Sequence, residues 1–486
     1  MDKSSCIFGN SIDSKTIRAA EKSKAKFIKK YGDDSGIRYS ASFAPIKTLD
    51  FIDTDNIILT PSGKAEETDV SKAEFAKNAL IVGNIRMGFG HYRISIAMAS
   101  CAHALGYKPY WLDLAGFDAT GSKMIREQND MYSLASRISQ KSRLFNHFVW
   151  EPLNSEGFKA LSYNAKDQKN SELLVPLFNS IPKDIPYIAT HVWPSQAAVH
   201  AGMTHVVNAI PDNWPMALHL SEGAVHAVQT PFAYLGYKML NGFAKVPLKG
   251  IPEDKLKMTG CYVDHELLVN LEDDNARRIE RARSGKSMRF LLTVGGAGAG
   301  FDMFLSMVKH LMPYVRDGKA TVLINFGDHK DVFEKLTKAV DLGDVRKFFN
   351  DYDGLKKFVT SLKTENNPGV YAVYNEDIFQ AVYSTNLLMP ESDWLVTKPS
   401  ELAYYPTPKI FMKHIGGHEV YGAINSQEYG DGTFECPTEK SIAQMIDRVL
   451  TDREILVHMA ERINTLKAEG HYNGAYECVK LAANSQ

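Results

Sequence analysis

Long apolar runs are missing from this 486-residue chain. Nowhere do about 18 consecutive apolar residues occur, which removes a transmembrane helix. The start, MDKSSCIFGN, has no apolar stretch of the kind a secretory signal peptide carries. Cysteine is scarce: Cys6, Cys101, Cys261, Cys436 and Cys478 are odd in number and scattered. No pair has C-x-x-C spacing, so neither a disulfide framework nor a cysteine-based zinc site is expected. Neither sign of charge prevails, with 56 Lys+Arg against 57 Asp+Glu and a formal net charge of −1. That excludes nucleic-acid binding driven by overall charge. H-E-x-x-H, the P-loop G-x-x-x-x-G-K-[ST] and the nucleophile elbow G-x-S-x-G are all absent. No metal and no resident cofactor are expected. Cytoplasm is the expected compartment, and reversible contact with a membrane surface needs only a modest apolar or basic patch.

What is present is a repeated strand–loop–helix pattern. Residues 1–78 are polar and Lys-rich and read as an irregular or helical N-terminal extension. At Ala79-Leu80-Ile81-Val82 a buried strand begins, and Gly83 ends the apolar run. The helical face Ile94, Ala97, Met98, Cys101 and Leu105 follows, and then the strand Tyr110–Leu114. Strand, helix and strand make a βαβ unit, which builds parallel sheets. Further strand candidates lie at Tyr187–Thr190, His205–Ile210, His226–Thr230 and Lys257–Gly260. Residues 266–288 are charged and poor in apolar side chains, and read as a hinge. A second βαβ series opens at Phe290–Val294 and continues through 320–326, 369–373, 394–397 and 409–412. The expected organisation is an α/β protein with two Rossmann-like domains, 79–265 and 289–437, followed by helices over 438–486.

Each half places a glycine loop between its first strand and first helix, where backbone N–H groups can approach a phosphate. Gly295-Gly296-Ala297-Gly298-Ala299-Gly300 does not fit G-x-G-x-x-G in register, which disfavours a dinucleotide fingerprint. In the first half the loop is Gly88-Phe89-Gly90-His91, with Arg93 two residues on. A helix N-terminus disfavours imidazolium, so His91 suits a neutral base or hydrogen-bonding role, and Arg93 suits a phosphate. His91 has an ordinary reading as well, as a polar side chain at a helix start.

These residues resemble the GT-B glycosyltransferases that include monogalactosyldiacylglycerol synthase, processive diacylglycerol glucosyltransferases and the peptidoglycan N-acetylglucosaminyltransferase. Gly88–His91 is similar to that family's G-x-G-H loop, and Thr190-His191-Val192-Trp193-Pro194 to its T-H-x-x-P segment. Gly250–Gly260 resembles a G-I-P-x-x-K-I-x-V-T-G run. Thr397-Lys398-Pro399-Ser400 with Glu401 and Pro408 resembles the donor motif, shortened at Pro399-Ser400. The resemblance implies a GT-B-like fold with two parallel sheets facing across a cleft. It also implies a nucleotide-sugar donor, with UDP expected, and a lipid or small-molecule acceptor. Carried over by position, Gly295, Gly296 and Gly298 face the donor diphosphate, and Asn375 lies at the base. Lys398, Ser400 and Glu401 form the donor motif, with Glu401 on the ribose hydroxyls. Gly88, Gly90, Arg93 and His191 form an acceptor or phosphate loop, and His91 acts on the acceptor. A lipid acceptor implies an apolar or basic lip near Phe89 and Tyr92.

Two alternatives accompany this reading. One is an isomerase resembling UDP-N-acetylglucosamine 2-epimerase, for which Asp212, His219 and Glu222 are conceivable acid/base suppliers. Their plainer reading, a solvated loop and helix start, is preferred. The other is a non-catalytic nucleotide-sugar binder, suggested by the shortened donor motif.

Overall fold

The computed structural model of the protein describes residues 2–64, 74–153, 157–240, 242–294 and 301–483. Its short apolar runs become strands, and the amphipathic stretches between them supply the crossovers that parallel pairing requires. The first sheet contains β1 (Ile37–Pro45), β2 (Asp55–Lys64), β3 (Ala79–Asn84), β4 (Lys108–Asp113), β5 (Tyr187–Ala189), β6 (Val206–Ala209), β7 (Val225–Val228) and β8 (Leu256–Met258). They lie in the order β8-β7-β6-β5-β3-β4-β2-β1. All pairings are parallel except β1 with β2, an antiparallel hairpin that sets Ala41 opposite Leu59. Central β3 is buried on both faces. Leu80 and Val82 join one apolar cluster while Ile81 joins another, as strand alternation requires.

Around this sheet pack α1 (Ser14–Tyr31), α2 (Gly90–Ala104), α3 (Thr120–Lys141), α4 (Leu161–Ser171), α5 (Val192–His200) and α6 (Pro231–Met239). The described residues of the N-terminal extension expected over 1–78 build part of the first domain. β1 and β2 complete the first sheet, and α1 lies on α4, with Lys24 Nζ 2.6 Å from Glu172. Their polar sequence concealed this because an edge hairpin keeps one face in water.

The second sheet is wholly parallel: β9 (Met288–Thr293), β10 (Ala320–Asn325), β11 (Val345–Phe349), β12 (Gly369–Tyr374), β13 (Trp394–Thr397), β14 (Lys409–Met412) and β15 (Gly432–Cys436), in the order β11-β12-β10-β9-β13-β14-β15. Helices α7 (Leu271–Arg283), α8 (Phe301–Arg316), α9 (Ile378–Leu388) and α10 (Gly474–Ala483) complete the set needed here. The expected hinge over 266–288 is corrected: most of it is α7, held on the second domain. Arg277, Arg281 and Arg289 surround the fully buried Glu391 at 2.7, 3.5 and 3.1 Å. Arg281 also reaches Asp393 at 2.9 Å. The segment looked like a linker because ion pairs, rather than apolar side chains, bury it.

After the second sheet the chain returns, and α10 packs against α2 of the first domain. This return explains Gly260 in the 250–260 run, and α6 explains Gly250. Gly260 has φ +88°, and a Cβ there would stand 2.5 Å from the His471 carbonyl oxygen. A Cβ on Gly250 would stand 1.8 Å from the Lys238 carbonyl oxygen. One buried apolar cluster runs through both domains, joining Leu80, Val82 and Ile96 to Leu291, Leu323 and Leu395. No helix among the described residues is long and apolar enough to cross a membrane.

Candidate functional site

The C-terminal ends of parallel strands are where α/β sheets bind ligands, and both sheets turn these ends toward the same region. From the first sheet, the chain leaves β3 through Gly88 at φ +74° and enters α2 at Gly90. His91 Nδ1 lies 2.7 Å from the Thr190 carbonyl oxygen. A carbonyl only accepts, so Nδ1 carries the proton and Nε2 keeps its lone pair. Burial lowers the pKa of His91, partly offset by Thr190 and Asp212, so the ring is neutral. His191 caps α5, its Nδ1 accepting the Trp193 N–H at 3.2 Å, so in the neutral ring Nε2 bears the proton. Burial and then the neighbouring His91 hold His191 well below the usual histidine range. The two rings meet edge to face at 4.8 Å. A neutral acceptor nitrogen and a neutral donor nitrogen thus stand side by side.

Behind them Trp193 packs on His191 at 4.9 Å, and the buried Asp167 lies beside Trp193. Burial lifts Asp167 to about 7, well above an ordinary carboxylate. Its folded state therefore binds the proton more tightly than the unfolded chain does. Stability falls as pH rises from about 4 toward 7. Asp167→Asn is accordingly expected to be more stable than the wild type above pH 7, by roughly 1–4 kcal/mol, and to match it near pH 4. Thermal denaturation at the two pH values checks this.

Asp212 and His219 lie in the same region, which corrects the solvated-loop reading. Asp212 follows β6, and its Oδ2 is 3.0 Å from His219 Nε2. Burial raises the Asp212 pKa, but His219, His418 and His91 outweigh it and hold the carboxyl well below the usual range. Glu222 does not join them; it accepts the Phe8 N–H instead. The signal available in sequence was Asp212 just past an apolar strand in a parallel series, the place where such sheets put their chemistry.

From the second domain come the ends of β12, β13 and β14. Lys398 is paired with Glu419, which also accepts the Ile415 N–H at 2.8 Å. Ser400 donates its N–H to the Lys398 carbonyl at 2.9 Å, a tight turn that leads into Glu401. The Glu401 carboxylate overlies the start of α2, where a Cβ on Gly90 would stand 3.1 Å from Oε2. Asn375 follows β12 and is buried, its side chain donating to Ser384 Oγ at 3.2 Å. Its own N–H is bonded to the Gly327 carbonyl at 3.0 Å. Gly295, Gly296 and Gly298 lie outside the described residues.

Arg93 is not a free phosphate ligand. It is 2% exposed and donates to Asn386 of α9, with Glu401 4.0 Å from its Nε. Asn386 in turn donates to Asp264 at 2.9 Å, so Arg93 ties α2 to α9 and to the interdomain segment. Across the same boundary Arg86 pairs with Asp328 at 2.7 Å, and Trp214 stacks on Tyr421 at 4.5 Å. The lip expected near Phe89 and Tyr92 is likewise corrected. Tyr92 is buried against Asp113, and Phe89 packs on Gly327 and His329. Exposed apolar side chains lie instead at Leu134, Leu144 and Phe148 and at Leu235, Met239 and Val246. Among the described residues no group of three or more His, Cys, Asp or Glu side chains is arranged to hold a metal.

Two mainly parallel, helix-flanked sheets thus turn their strand ends to a shared cleft, with His91 on one side and Glu401 on the other. This is a GT-B-type fold. Residues 6–239 of this GT-B chain match the family described as "Domain of unknown function (DUF6937)", and residues 251–483 match "Domain of unknown function (DUF6938)". A processive diacylglycerol beta-glucosyltransferase of Staphylococcus carnosus (strain TM300) is 24% identical over 227 residues, which is 45% of this chain and 49% of that protein. The chain thus spans about half the length of the curated relative it matches. Solved structures with similarity include the S. aureus MnaA–UDP co-structure, at 12% identity over 84% of this chain and 98% of that one, with a TM-score of 0.45. SnogD of Streptomyces nogalater follows at 15% identity over 84% and 99%, with a TM-score of 0.43.

Proposed function

We propose that the protein is a glycosyltransferase that moves a sugar from a nucleotide-sugar donor, UDP-linked, to a hydroxyl of a lipid or small-molecule acceptor. The observation that carries this reading is His91: a neutral imidazole with its Nε2 lone pair unengaged by Thr190, at a helix N-terminus beside Glu401 of the opposite domain. In this reading the second domain holds the donor. Gly295, Gly296 and Gly298 take the diphosphate, the segment at Asn375 takes the base and Glu401 the ribose hydroxyls, with Lys398 and Ser400 shaping the loop. His91 takes the proton as the acceptor oxygen attacks the anomeric carbon, while the bond to the nucleotide diphosphate breaks and that group leaves with the electron pair. The diacylglycerol glucosyltransferase relative supports a lipid acceptor, and the exposed apolar side chains near α3 and α6 support peripheral contact with a membrane.

The second reading, a nucleotide-sugar epimerase, is favoured by one observation: the Asp212–His219 couple supplies acid/base groups in the cleft beyond His91. One experiment separates the two. The protein is incubated with UDP- and GDP-sugars, with and without a lipid extract, and released nucleotide and sugar identity are followed. Nucleotide released only with acceptor is the expected result. A new sugar formed without acceptor establishes epimerisation, and failure to bind any nucleotide or nucleotide-sugar overturns both readings.

A further inference from the structure

Arg93 carries a charge that it cannot shed into a place where burial is nearly complete. Its Nη1 donates to the Asn386 side-chain oxygen and, at 3.4 Å, to the Val382 carbonyl, both on α9. Both acceptors are neutral. Its Nε has no hydrogen-bond partner among the described residues, although a buried donor left unpaired is destabilising. The carboxylate in ion-pair range is Glu401, whose Oε1 stands 4.0 Å from that same Nε. Asp264 lies one hydrogen bond farther away, behind Asn386.

Glu401 is the complement of this donor. Its side chain is 19% exposed against 3% for Arg93, so the carboxylate is reachable from solvent while the arginine is sealed behind it. Neither Glu401 oxygen accepts a hydrogen bond among the described residues, and Oε2 lies against the first turn of α2 at Gly90. A charge-assisted N–H···O bond spans about 2.7–2.9 Å. A shift of about 1 Å therefore turns the approach of Nε to Oε1 into a full bond.

We infer that Arg93 is a positioning residue for the donor: its Nε–H fixes Glu401 Oε1 in the orientation in which Glu401 accepts the ribose hydroxyls. This deepens, and rests on, the reading in which Glu401 holds the ribose. Arg93 touches no substrate and acts through Glu401. His91 and Arg93 both stand at the start of α2. One helix end thus carries the imidazole that takes the acceptor's proton and the cation that orients the ribose ligand. Because Arg93 belongs to the first domain and Glu401 to the second, the ribose ligand is fully oriented only when the two domains meet. That sets the donor in register with His91, where misplacement by about 1 Å slows transfer. The competing account is that Arg93 only pins α2 to α9 through Asn386.

Calorimetric titration of the full-length protein with UDP and with 2′-deoxy-UDP separates the two. The wild type is expected to bind 2′-deoxy-UDP about 10–100-fold more weakly, since a hydrogen bond to a charged group is lost. Glu401→Ala is expected to bring the two nucleotides to nearly equal affinity. Arg93→Met is expected to lose most of the same discrimination, by about 5-fold or more, and the double variant to lose no more than Glu401→Ala alone. Arg93→Lys keeps the buried charge without the guanidinium fork. It is expected to fall between wild type and Arg93→Met, and it gives the result if Arg93→Met does not fold. A residue that only pins the helices would weaken both nucleotides by one factor and leave their ratio in place, so a wild-type ratio in the folded variant overturns the inference. If UDP binds but Glu401→Ala leaves the ratio unchanged, the inference also fails while nucleotide binding stands. A wild-type protein that binds neither nucleotide overturns the donor reading itself, and the inference with it.

Discussion

His91→Ala is expected to abolish turnover, by roughly 10²–10⁴-fold or more, while leaving nucleotide affinity close to that of the wild type. The separation follows from where the ring sits. His91 is bonded to Thr190 and packed on His191, both of the first domain. Its removal deletes the lone pair at Nε2 and the bond at Nδ1, both on the acceptor side. Because α2 packs through Ile94, Ile96, Ala97 and Met98, truncating its second residue leaves the helix anchored. Turnover and calorimetric UDP binding, measured on the same preparation, check the result. Loss of nucleotide binding would place His91 on the donor instead.

Glu391→Ala is expected to destabilise the second domain by about 3–5 kcal/mol. Glu391 is fully buried, and Arg277, Arg281 and Arg289 converge on it. Removing the one carboxylate leaves Arg281 to Asp393 and Arg277 to Asp274, while Arg289 keeps only backbone acceptors: the carbonyls of Glu391, Leu362 and Glu365. Arginine does not neutralise by losing its proton, so the uncompensated charge stays in a low-dielectric interior. Glu391→Gln keeps the shape and some of the hydrogen bonds, and is expected to cost less. Urea denaturation of the three proteins gives the comparison, and a midpoint for Glu391→Ala equal to that of the wild type would overturn the network's role.

Much of the architecture was legible along the chain. The runs at 79–82, 290–294 and 394–397 are strands because apolar side chains bounded by turn residues leave few other ways to bury them. What escaped was buried by other means. The β1–β2 hairpin wets one face, so its sequence looks polar, and α7 buries arginines and carboxylates in pairs, so its sequence looks like a linker. In the site, His91 and His191 could be picked out because each stands at a strand-to-helix junction. Asp212 carried only the signal of its place just past an apolar strand, and His219, seven positions on, carried none, since nothing local brings the two together.

Local physics, then, determined the alternation of strands and helices, the glycine turns at helix starts and the absence of any membrane-spanning helix among the described residues. These depend on neighbours within a few residues, and sequence carries them directly. Only the tertiary structure decided the states of the charged groups. Arg93 reads as a phosphate ligand until α9 and Glu401 close on it, and Asp212 reads as a solvated loop residue until His219 and His418 arrive. Charge responds to burial and to partners distant in sequence, and neither exists before the two sheets are brought together.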